Sequence, residues 1–278
     1  MRVGFIGTGS MGTVLIEAFI RSGALNPEQI TATNRTIGKA ERLAEQYPGL
    51  HVSLSGREVA TASDLIFVCV KPGEYRAVFD DIVPVVRAEQ ILVSITSPVL
   101  IRHLEELVPC KIAKVIPSIT HYVLSGSSLC IYSDRMLPED KELLENLLSH
   151  IGRPIRVSEQ HTRISSDITS RGPAFLAYFL QRFVEAAVAM TGIPEEEAIQ
   201  LISEMTLGTG KSLTTGGFTP VSLQKRVAVP GGITAEGLRI MEKELHGVFD
   251  DLIRTTHSKY DEEVEKVEAR MLEAKSDG

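Results

Sequence analysis

In the stretch Arg2-Val3-Gly4-Phe5-Ile6-Gly7-Thr8-Gly9-Ser10-Met11-Gly12, an apolar run leads directly into the pattern G-x-G-x-x-G. A helical pattern follows, so the glycines lie between a predicted strand and a predicted helix, as dinucleotide binding requires. Gly7 permits a tight turn, Gly9 lets backbone N–H groups approach a pyrophosphate, and Gly12 lets the helix pack closely on the strand. The N-terminus of the helix would face the phosphates with its partial positive charge. The alternative is a glycine-rich turn in an ordinary α/β unit, which is disfavoured because a second strand follows at the expected distance.

The composition indicates a soluble, cytoplasmic globular protein. The 278 residues are enough for one large domain or two ordinary ones. A net charge of −7 argues against nucleic-acid or anionic-membrane partners, because both require a basic surface. We expect no membrane span and no signal peptide, since no apolar run has the required length or position. Cys69, Cys110 and Cys130 lie far apart, without the spacing of a metal site or a disulfide framework, which is typical of a reducing cytosol.

Alternating strand-like and helical patterns predict an N-terminal Rossmann-type domain at residues 1–158. Continuous apolar strands suit a sheet covered on both faces, and the alternation implies a doubly wound, mainly parallel α/β sheet. The predicted strands are Arg2–Gly7, Gln29–Thr33, Asp64–Val70, Gln90–Ile95, Lys111–Ile116, Ser127–Tyr132 and Pro154–Val157. The predicted helices between them are Met11–Ser22, Gly38–Tyr47, Ile101–Val108 and Pro138–His150.

The strand patterns stop after Ser158, so residues 159–278 are predicted to form an all-helical dimerisation and substrate domain. The predicted helices are His161–Gly192, interrupted near Gly172-Pro173, then Pro194–Thr215, Thr234–Leu245 and about Gly247–Ala274. Their apolar faces have little to cover them within this half of the chain. We therefore predict a homodimer, or a higher oligomer built from it, through the helical domain.

The residues after the second predicted strand favour NADPH over NADH as cofactor. Folds that prefer NAD place an acidic residue about 20 residues past the glycines, where it binds the ribose 2′-hydroxyl. This chain instead has Asn34, Arg35 and Thr36, and a charged fork with a hydroxyl donor suits a 2′-phosphate. The alternative, that Asn34 or Thr36 caps the next helix, is compatible with this role.

Three further strand ends supply candidate cofactor ligands, because open α/β sheets bind ligands outside the carboxyl ends of their strands. These ends read Val70-Lys71-Pro72, Ile95-Thr96-Ser97 and, after Lys111–Ile116, Ser118. Taken singly, each is better explained as an ordinary strand-exit turn.

Taken together, these motifs resemble the pyrroline-5-carboxylate reductase family over essentially the whole chain. The resemblance is carried by Gly4–Met11, Val70-Lys71-Pro72, Ser166–Phe175 and, most specifically, the P-G-G-x-T-x-x-G-L run within Val229–Leu238. Three stretches are more similar still to the late-competence ComER branch of the family: Thr33–Thr36, Ser94–Pro98 and Val115–Thr120.

The resemblance implies a Rossmann domain joined to a helical domain that interlocks with a second subunit. The implied reaction is NADPH-dependent reduction of the C=N bond of 1-pyrroline-5-carboxylate, a cyclic imino acid, to proline. In the glycine turn, the residues assigned to cofactor binding are Ile6, Gly7, Thr8, Gly9, Ser10 and Met11. The residues assigned to substrate binding are Arg171, Val229, Gly231, Gly232, Ile233 and Thr234.

Hydride transfer to a cyclic imine requires positioning above all, because a protonated imine is already electrophilic. Gly231 and Gly232 expose backbone N–H groups at the start of a helix, which makes an anion-binding nest for the substrate carboxylate. Thr234, the predicted catalytic residue, can hydrogen-bond the ring nitrogen or the carboxylate. The alternative is that Thr234 is a plain N-cap, which the Pro-Gly-Gly context disfavours. His121 and His161 match no motif and are predicted to be core or exposed histidines.

Three substrate-side positions depart from the family pattern. Ser118 replaces the Asn of M-P-N-T-P, Val229 replaces a carboxylate-binding Ser, and Arg171 replaces a small hydroxyl residue. Three explanations for Arg171 stay open: it clamps the substrate carboxylate, it fills the pyrroline pocket, or it pairs with an acid at the dimer interface.

Two other functions compete with the reductase. β-Hydroxyacid dehydrogenases also join a Rossmann domain to helices, but they need a Lys on the long interdomain helix as acid–base group, and residues 161–192 contain none. The stronger alternative is a catalytically impaired NADP-binding paralogue with a regulatory role, because the nucleotide side is largely kept while the substrate side deviates.

Overall fold

The computed structural model describes residues 1–276, and it describes side chains for residues 1–269. The chain packs as two compact units. The first consists of Met1–Pro173 and the residues from Thr256 onward, and the second is Ala174–Thr255. Residues 159–173 and 256 onward thus pack with the first unit, although the sequence assigns them to the helical domain. The functional boundary after residue 158 stays a prediction.

The first unit is built on one eight-stranded sheet. Its strands are β1 (Val3–Ile6), β2 (Ile30–Thr33), β3 (His51–Val52), β4 (Leu65–Val68), β5 (Ile91–Ser94), β6 (Lys111–Ile116), β7 (Ser127–Tyr132) and β8 (Arg153–Arg156). They lie in the order β3-β2-β1-β4-β5-β6-β7-β8, and only the β6–β7 pair is antiparallel. Successive strands are added on one side of β1 up to β3 and on its other side from β4 onward, so the strand order reverses between β1 and β4. Doubly wound sheets bind ligands at such a point.

The helices of the first unit alternate with its strands. They are α1 (Ser10–Arg21), α2 (Gly38–Gln46), α3 (Gly56–Ala62), α4 (Tyr75–Ile82), α5 (Ile101–Glu105), α6 (Pro138–Ser149) and α7 (Thr162–Ser166). A π turn at Asp167–Arg171 joins α7 to α8 (Gly172–Thr191), close to the predicted interruption. The remaining helices are α9 (Glu195–Thr214), α10 (Pro220–Val227), α11 (Ile233–Glu244) and α12 (Val248–Ser276).

The predicted fold class is confirmed, since within residues 1–276 a mainly parallel, doubly wound sheet is followed by helices alone. The sequence patterns missed β3, α3, α4 and α10 because they have only two, seven, eight and eight residues. Elements this short contain too few residues to establish a periodicity.

Both faces of the sheet are buried, which explains its continuous apolar strands. Phe5 and Phe67, on adjacent strands, stack with ring centroids 4.9 Å apart and pack with α1 on one face. Ile66 and Val68 point to the opposite face, where Val267 of α12 joins the same cluster. With both faces covered, the exposed carboxyl edge of the sheet is left as the place for a ligand.

The second unit has many exposed apolar side chains. Those of α8 and α9 include Leu176, Tyr178, Phe183, Met190, Ile199, Leu201 and Leu207. In the same two helices, Val184 and Ala198 are the buried positions that the structure describes. An apolar surface of this extent is typical of a subunit interface.

Candidate functional site

The glycine turn between β1 and α1 has the conformation that its sequence predicts. Gly7 has a φ of +106°, and its N–H donates to the Thr33 carbonyl at 2.8 Å. A Cβ atom on Gly12 would lie 2.1 Å from the Gly7 carbonyl oxygen, so only glycine allows this helix to approach the turn. At Gly9, by contrast, a Cβ would meet no atom within 4 Å. The backbone beside Gly9 is therefore open to a ligand.

The hydroxyl of Thr8 lies within this turn and supports a ligand there. Thr8 is 3% exposed, and its Oγ1 is buried without a hydrogen-bond partner. Buried polar groups are normally paired, so an orphaned hydroxyl at such a position calls for a missing partner. Ile6 ends β1, and Ser10 and Met11 begin α1 with no side chain capping the helix. The free N–H groups of this first turn are available to phosphate oxygens.

The end of β2 is tied to the glycine turn through Asn34. Its Oδ1 accepts from the Thr8 N–H at 3.1 Å, and its Nδ2 donates to the Thr36 carbonyl at 3.0 Å. The alternative capping role is wrong, because α2 begins at Gly38 with Ile37 as its N-cap. The Arg35 side chain is 86% exposed and pairs with Glu74, with 2.7 Å between Nη1 and Oε1.

One hydrogen bond joins the segments that follow β4 and β5, and another lies within the segment after β4. Thr96 Oγ1 donates to the Val70 carbonyl at 3.1 Å, and the Lys71 N–H donates to a carboxylate oxygen of Glu74 at 3.3 Å. Pro72 begins the 3-10 turn that contains Glu74, and half-buried Ile95 precedes Thr96. These strand ends lie at the carboxyl edge, beside the glycine turn, as the topology predicts.

Ser97 carries the second orphaned hydroxyl at this edge. Its Oγ is buried without a partner, while its carbonyl accepts from Lys114 Nζ at 3.0 Å and from the Tyr260 hydroxyl at 3.3 Å. Lys114 is fully buried and also pairs with Glu159 at 2.9 Å. Burial lowers the pKa of Lys114, while the Glu159 carboxylate opposes that shift. The sequence analysis missed this pair, although a lysine inside the apolar run Ile112–Ile116 was a signal for it.

The structure places Ser118 at the carboxyl end of β6, with its hydroxyl already engaged. Ser118 Oγ donates to the Thr169 carbonyl at 3.0 Å. Pro173, four residues after Thr169, has no N–H to donate to that carbonyl. Ser170 Oγ donates to the Pro117 carbonyl from the same π turn. Ser118 therefore has a packing role, and its role in cofactor binding stays a prediction.

Arg171, the last residue of the π turn, is half-buried. Its Nη1 donates to Ser166 Oγ at 2.6 Å, and none of the carboxylates described lies within ion-pair distance of its guanidinium. Burial lowers the pKa of Arg171, and the charge of Arg163 lowers it further. The nearby Asp167 carboxylate is instead paired with Arg163 and accepts from Thr256 Oγ1 at 2.7 Å. The carboxylates of Asp167 and Glu263 oppose this lowering of the Arg171 pKa, although neither forms an ion pair with the guanidinium among the side chains described.

The Arg163–Asp167 ion pair is a buried feature that the sequence analysis missed. The two side chains are 7% and 3% exposed. Their spacing of four residues within one helical stretch was the available signal. The pair connects the π turn to α12, because Thr256 also contacts Asp167.

Thr234 belongs to the second unit and lies in the first turn of α11. The helix begins at Ile233 with Gly232 as its N-cap, so the alternative that Thr234 is the N-cap is wrong. Gly231 has a φ of +74°, and the Gly232 N–H donates to the Val229 carbonyl at 3.0 Å. Thr234 lines a cleft of about 320 Å³ whose other lining residues come from α9, α10 and α11.

Neither histidine considered in the sequence has the setting of an acid–base catalyst. His121 is fully buried, with Nδ1 3.1 and 3.0 Å from the Ser125 and Ile151 carbonyl oxygens. Nδ1 therefore carries the proton, and Nε2 accepts from Ser128 Oγ at 3.0 Å. His161 is exposed and contacts Ser158.

Comparisons with known proteins find matches along most of the chain. Residues 159–263 match the family described as pyrroline-5-carboxylate reductase dimerisation, and residues 2–98 match that described as NADP oxidoreductase, coenzyme F420-dependent. The chain is 42% identical to ComE operon protein 4 of Bacillus subtilis strain 168, over 96% of this chain and 98% of that protein. It is 31% identical, with the same coverage, to pyrroline-5-carboxylate reductase 3 of that strain. The structure of Plasmodium falciparum pyrroline carboxylate reductase with NADP bound has a TM-score of 0.81 at 24% identity, covering 97% of both chains.

The helical stretch Glu159–Thr191 corrects one expectation from the sequence. Its most apolar window of 18 residues has a mean hydropathy of 1.2, so the stretch is long and apolar enough to cross a membrane by length and composition, although no such run was expected from the sequence. Only 6% of its most apolar part is buried. The stretch lies within the region that matches the dimerisation family, and it contains the buried Arg163–Asp167 ion pair. A subunit interface explains the same apolar surface without a membrane.

Proposed function

Because the chain belongs to the pyrroline-5-carboxylate reductase family, we propose that it reduces the C=N bond of 1-pyrroline-5-carboxylate to proline with NADPH. The observation that carries the proposal is the glycine turn, which has open space at Gly9 and a buried Thr8 hydroxyl without a partner. It lies at the β1–β4 reversal of the sheet, where dinucleotides bind in this fold class.

The residues at the carboxyl edge fit a nicotinamide dinucleotide. The first turn of α1 and the Gly9 backbone would hold the pyrophosphate, and Arg35 with Thr36 would hold the 2′-phosphate. Val70, Lys71, Pro72 and the Ile95–Ser97 segment would contact the rest of the cofactor, with the orphaned Ser97 hydroxyl as a donor or acceptor. Ser118 would contribute through its backbone, because its hydroxyl is engaged with Thr169.

The substrate is assigned to the Pro-Gly-Gly-Ile-Thr segment of the second unit. Gly231 and Gly232 precede α11, beside Val229 and Ile233. Because the Gly232 N–H is engaged with the Val229 carbonyl, the substrate carboxylate would accept from the Gly231 N–H and from the first turn of α11, with Gly232 as the N-cap that leaves this turn open. The Thr234 hydroxyl, which is not used as a helix cap, would orient the ring through its nitrogen or carboxylate. The chemistry supplied by NADPH is a hydride for the imine carbon. Positioning these groups provides most of the rate enhancement.

Arg171 would act on the substrate as a carboxylate clamp. The guanidinium is half-buried and has no carboxylate partner among the side chains described. A planar guanidinium binds a carboxylate through two parallel hydrogen bonds. This would replace the carboxylate contact that the family makes through the Ser at the position of Val229.

The protein would work as a cytoplasmic homodimer, or a higher oligomer built from it, through residues 159–278. The exposed apolar side chains of α8 and α9 support this proposal, since a second copy would cover them. The net charge of −7 supports the absence of nucleic-acid and anionic-membrane partners.

A second candidate is a catalytically impaired NADP-binding paralogue with a regulatory role of the ComER type. The observation that favours it is the hydrogen bond from the Ser118 hydroxyl to the Thr169 carbonyl. At the position of Ser118 the family has an Asn that holds the nicotinamide end, whereas here the side chain is engaged within the protein. Arg171 would then fill the pyrroline pocket.

NADPH consumption with pyrroline-5-carboxylate, run beside calorimetric titration with NADPH, separates the two candidates. Turnover that falls at least tenfold in Thr234→Ala, with unchanged NADPH binding, is expected for the reductase. Binding without turnover in the wild type overturns it in favour of the paralogue. In the Arg171→Ser variant, lower turnover supports the clamp, and turnover gained supports the blocked pocket. Unchanged turnover supports pairing of Arg171 with an acid at the dimer interface.

A further inference from the structure

The Glu74 carboxylate lies between the backbone of Lys71 and the guanidinium of Arg35, two residues that are assigned to the cofactor. Its Oε2 accepts from the Lys71 N–H at 3.3 Å, and its own N–H donates to the Lys71 carbonyl at 2.9 Å. Pro72 lies inside this short turn and restricts it further. The carboxylate is therefore anchored to backbone, whereas the Arg35 side chain is 86% exposed and is the more solvated partner of the ion pair.

The ion pair spans the part of the sheet where the adenosine ribose of a dinucleotide is expected. Glu74 follows β4 and Arg35 follows β2, and β1 with its glycine turn lies between these two strands. Asn34, the neighbour of Arg35, is bonded to Thr8 in that turn. The Glu74 carboxylate thus lies near the end of β2, although it does not come from β2.

An acidic group near the end of β2 is the feature that distinguishes NAD-preferring sheets, because it accepts hydrogen bonds from the ribose hydroxyls. It also repels a 2′-phosphate. The β2 end itself has no acid here, so its sequence alone favours NADPH. Glu74, which follows β4, provides an acid at this place. It also forms an ion pair with Arg35, the arginine that a 2′-phosphate would need.

We propose that Glu74 sets the cofactor preference of this protein, by accepting the ribose hydroxyls of NADH and by competing with the 2′-phosphate of NADPH for Arg35. The inference rests on the proposed function, since it assumes that a nicotinamide dinucleotide binds at the glycine turn. The consequence is that both NADPH and NADH bind, with a smaller preference for NADPH than Arg35 alone would produce.

The test compares the dissociation constants of NADPH and NADH, measured by calorimetry on the wild type and on Glu74→Gln. Removing the charge is expected to lower the dissociation constant of NADPH about fivefold and to raise that of NADH about fivefold, the upper range for one exposed charge pair. The ratio of the two constants then shifts by about 25-fold. Arg35→Gln is expected to weaken NADPH and to leave NADH within about twofold.

Glu89→Gln is the matched control. Glu89 also pairs with an arginine at 2.7 Å on an exposed surface, but it lies just before β5, at the opposite edge of the sheet. The inference is wrong if Glu74→Gln changes the ratio of the NADPH and NADH dissociation constants by less than twofold, or if Glu89→Gln changes that ratio equally. Either result leaves the proposed function intact. If neither nucleotide binds the wild type, the proposed function and the inference are both wrong.

Discussion

Replacing Gly9 or Gly12 with alanine is expected to affect different properties of the protein, namely cofactor binding for Gly9 and stability for Gly12. Both belong to the G-x-G-x-x-G pattern, and a sequence pattern treats them alike. In the structure, a Cβ on Gly12 would lie 2.1 Å from the Gly7 carbonyl oxygen and 3.2 Å from the Cys69 side chain. A Cβ on Gly9 would lie in open space. Gly12→Ala should therefore damage the fold, whereas Gly9→Ala should mainly damage binding.

The size of each effect follows from these contacts. The clash at Gly12 is with a backbone atom, far inside the 3.4 Å at which ordinary contact begins, so the turn must move. Overpacking costs about 1–3 kcal/mol, and the better helix propensity of alanine returns up to ~1 kcal/mol. We expect a net loss of about 2 kcal/mol in the free energy of unfolding, or about 4–8 °C in melting temperature. Gly9→Ala changes only an N-cap, which costs about 1 kcal/mol or less.

Urea unfolding of the nucleotide-free protein and calorimetric titration with NADPH measure the two effects separately. Gly9→Ala should lower the free energy of unfolding by less than half as much as Gly12→Ala does. It should weaken NADPH binding at least about tenfold, because its methyl group occupies the approach to the pyrophosphate. If Gly9→Ala binds NADPH like the wild type, the open space beside Gly9 is not the cofactor site. If it unfolds as easily as Gly12→Ala, the structural distinction between the two glycines is wrong.

Three further predictions concern groups that the structure shows to be buried. Burial lowers the pKa values of His121 and His103 from their usual 6.5, so the unfolded chain binds protons that the folded chain does not. Stability should decline as the pH falls below about 6.5, and His121→Asn should show a shallower decline in melting temperature between pH 7.5 and 5. Asp167→Asn leaves the Arg163 charge buried without its partner and should cost about 3–5 kcal/mol in urea unfolding. Asp251→Asn, in an exposed pair with Arg254, should cost less than about 0.5 kcal/mol; equal losses in the two variants would contradict this account. Ser118→Ala removes the donor to the Thr169 carbonyl and should cost about 1 kcal/mol, whereas an unchanged unfolding midpoint would show that the bond contributes nothing.

The conformation of the glycine turn could be predicted from sequence because its features are local. Gly7, Gly9 and Gly12 act through their own backbone and through their immediate neighbours in space, so a spacing rule captures them. The long strands were also predictable, since each is an uninterrupted apolar run. By contrast, β3 has two residues and forms only because β2 offers it a parallel partner.

Two ion pairs could not be predicted, because they join residues far apart in the chain. The sequence assigns Arg35 to a phosphate and gives Glu74 no role. In the structure the two residues form one ion pair across β1. Lys114 meets Glu159 by the same kind of long-range packing. The order of the strands creates these contacts, and that order is not written in any local pattern.

Ser118 and Arg171 belong to one arrangement, because both are attached to the π turn Asp167–Arg171. Ser118 donates to the Thr169 carbonyl within the turn, and Arg171 donates to Ser166 just before it. Replacing Arg171 with serine removes a half-buried cation and leaves the Ser118 bond in place. A change in turnover in that variant therefore reports on the guanidinium itself. A variant changed at both positions would also loosen the turn, and its turnover would no longer distinguish a blocked pocket from a misplaced helix.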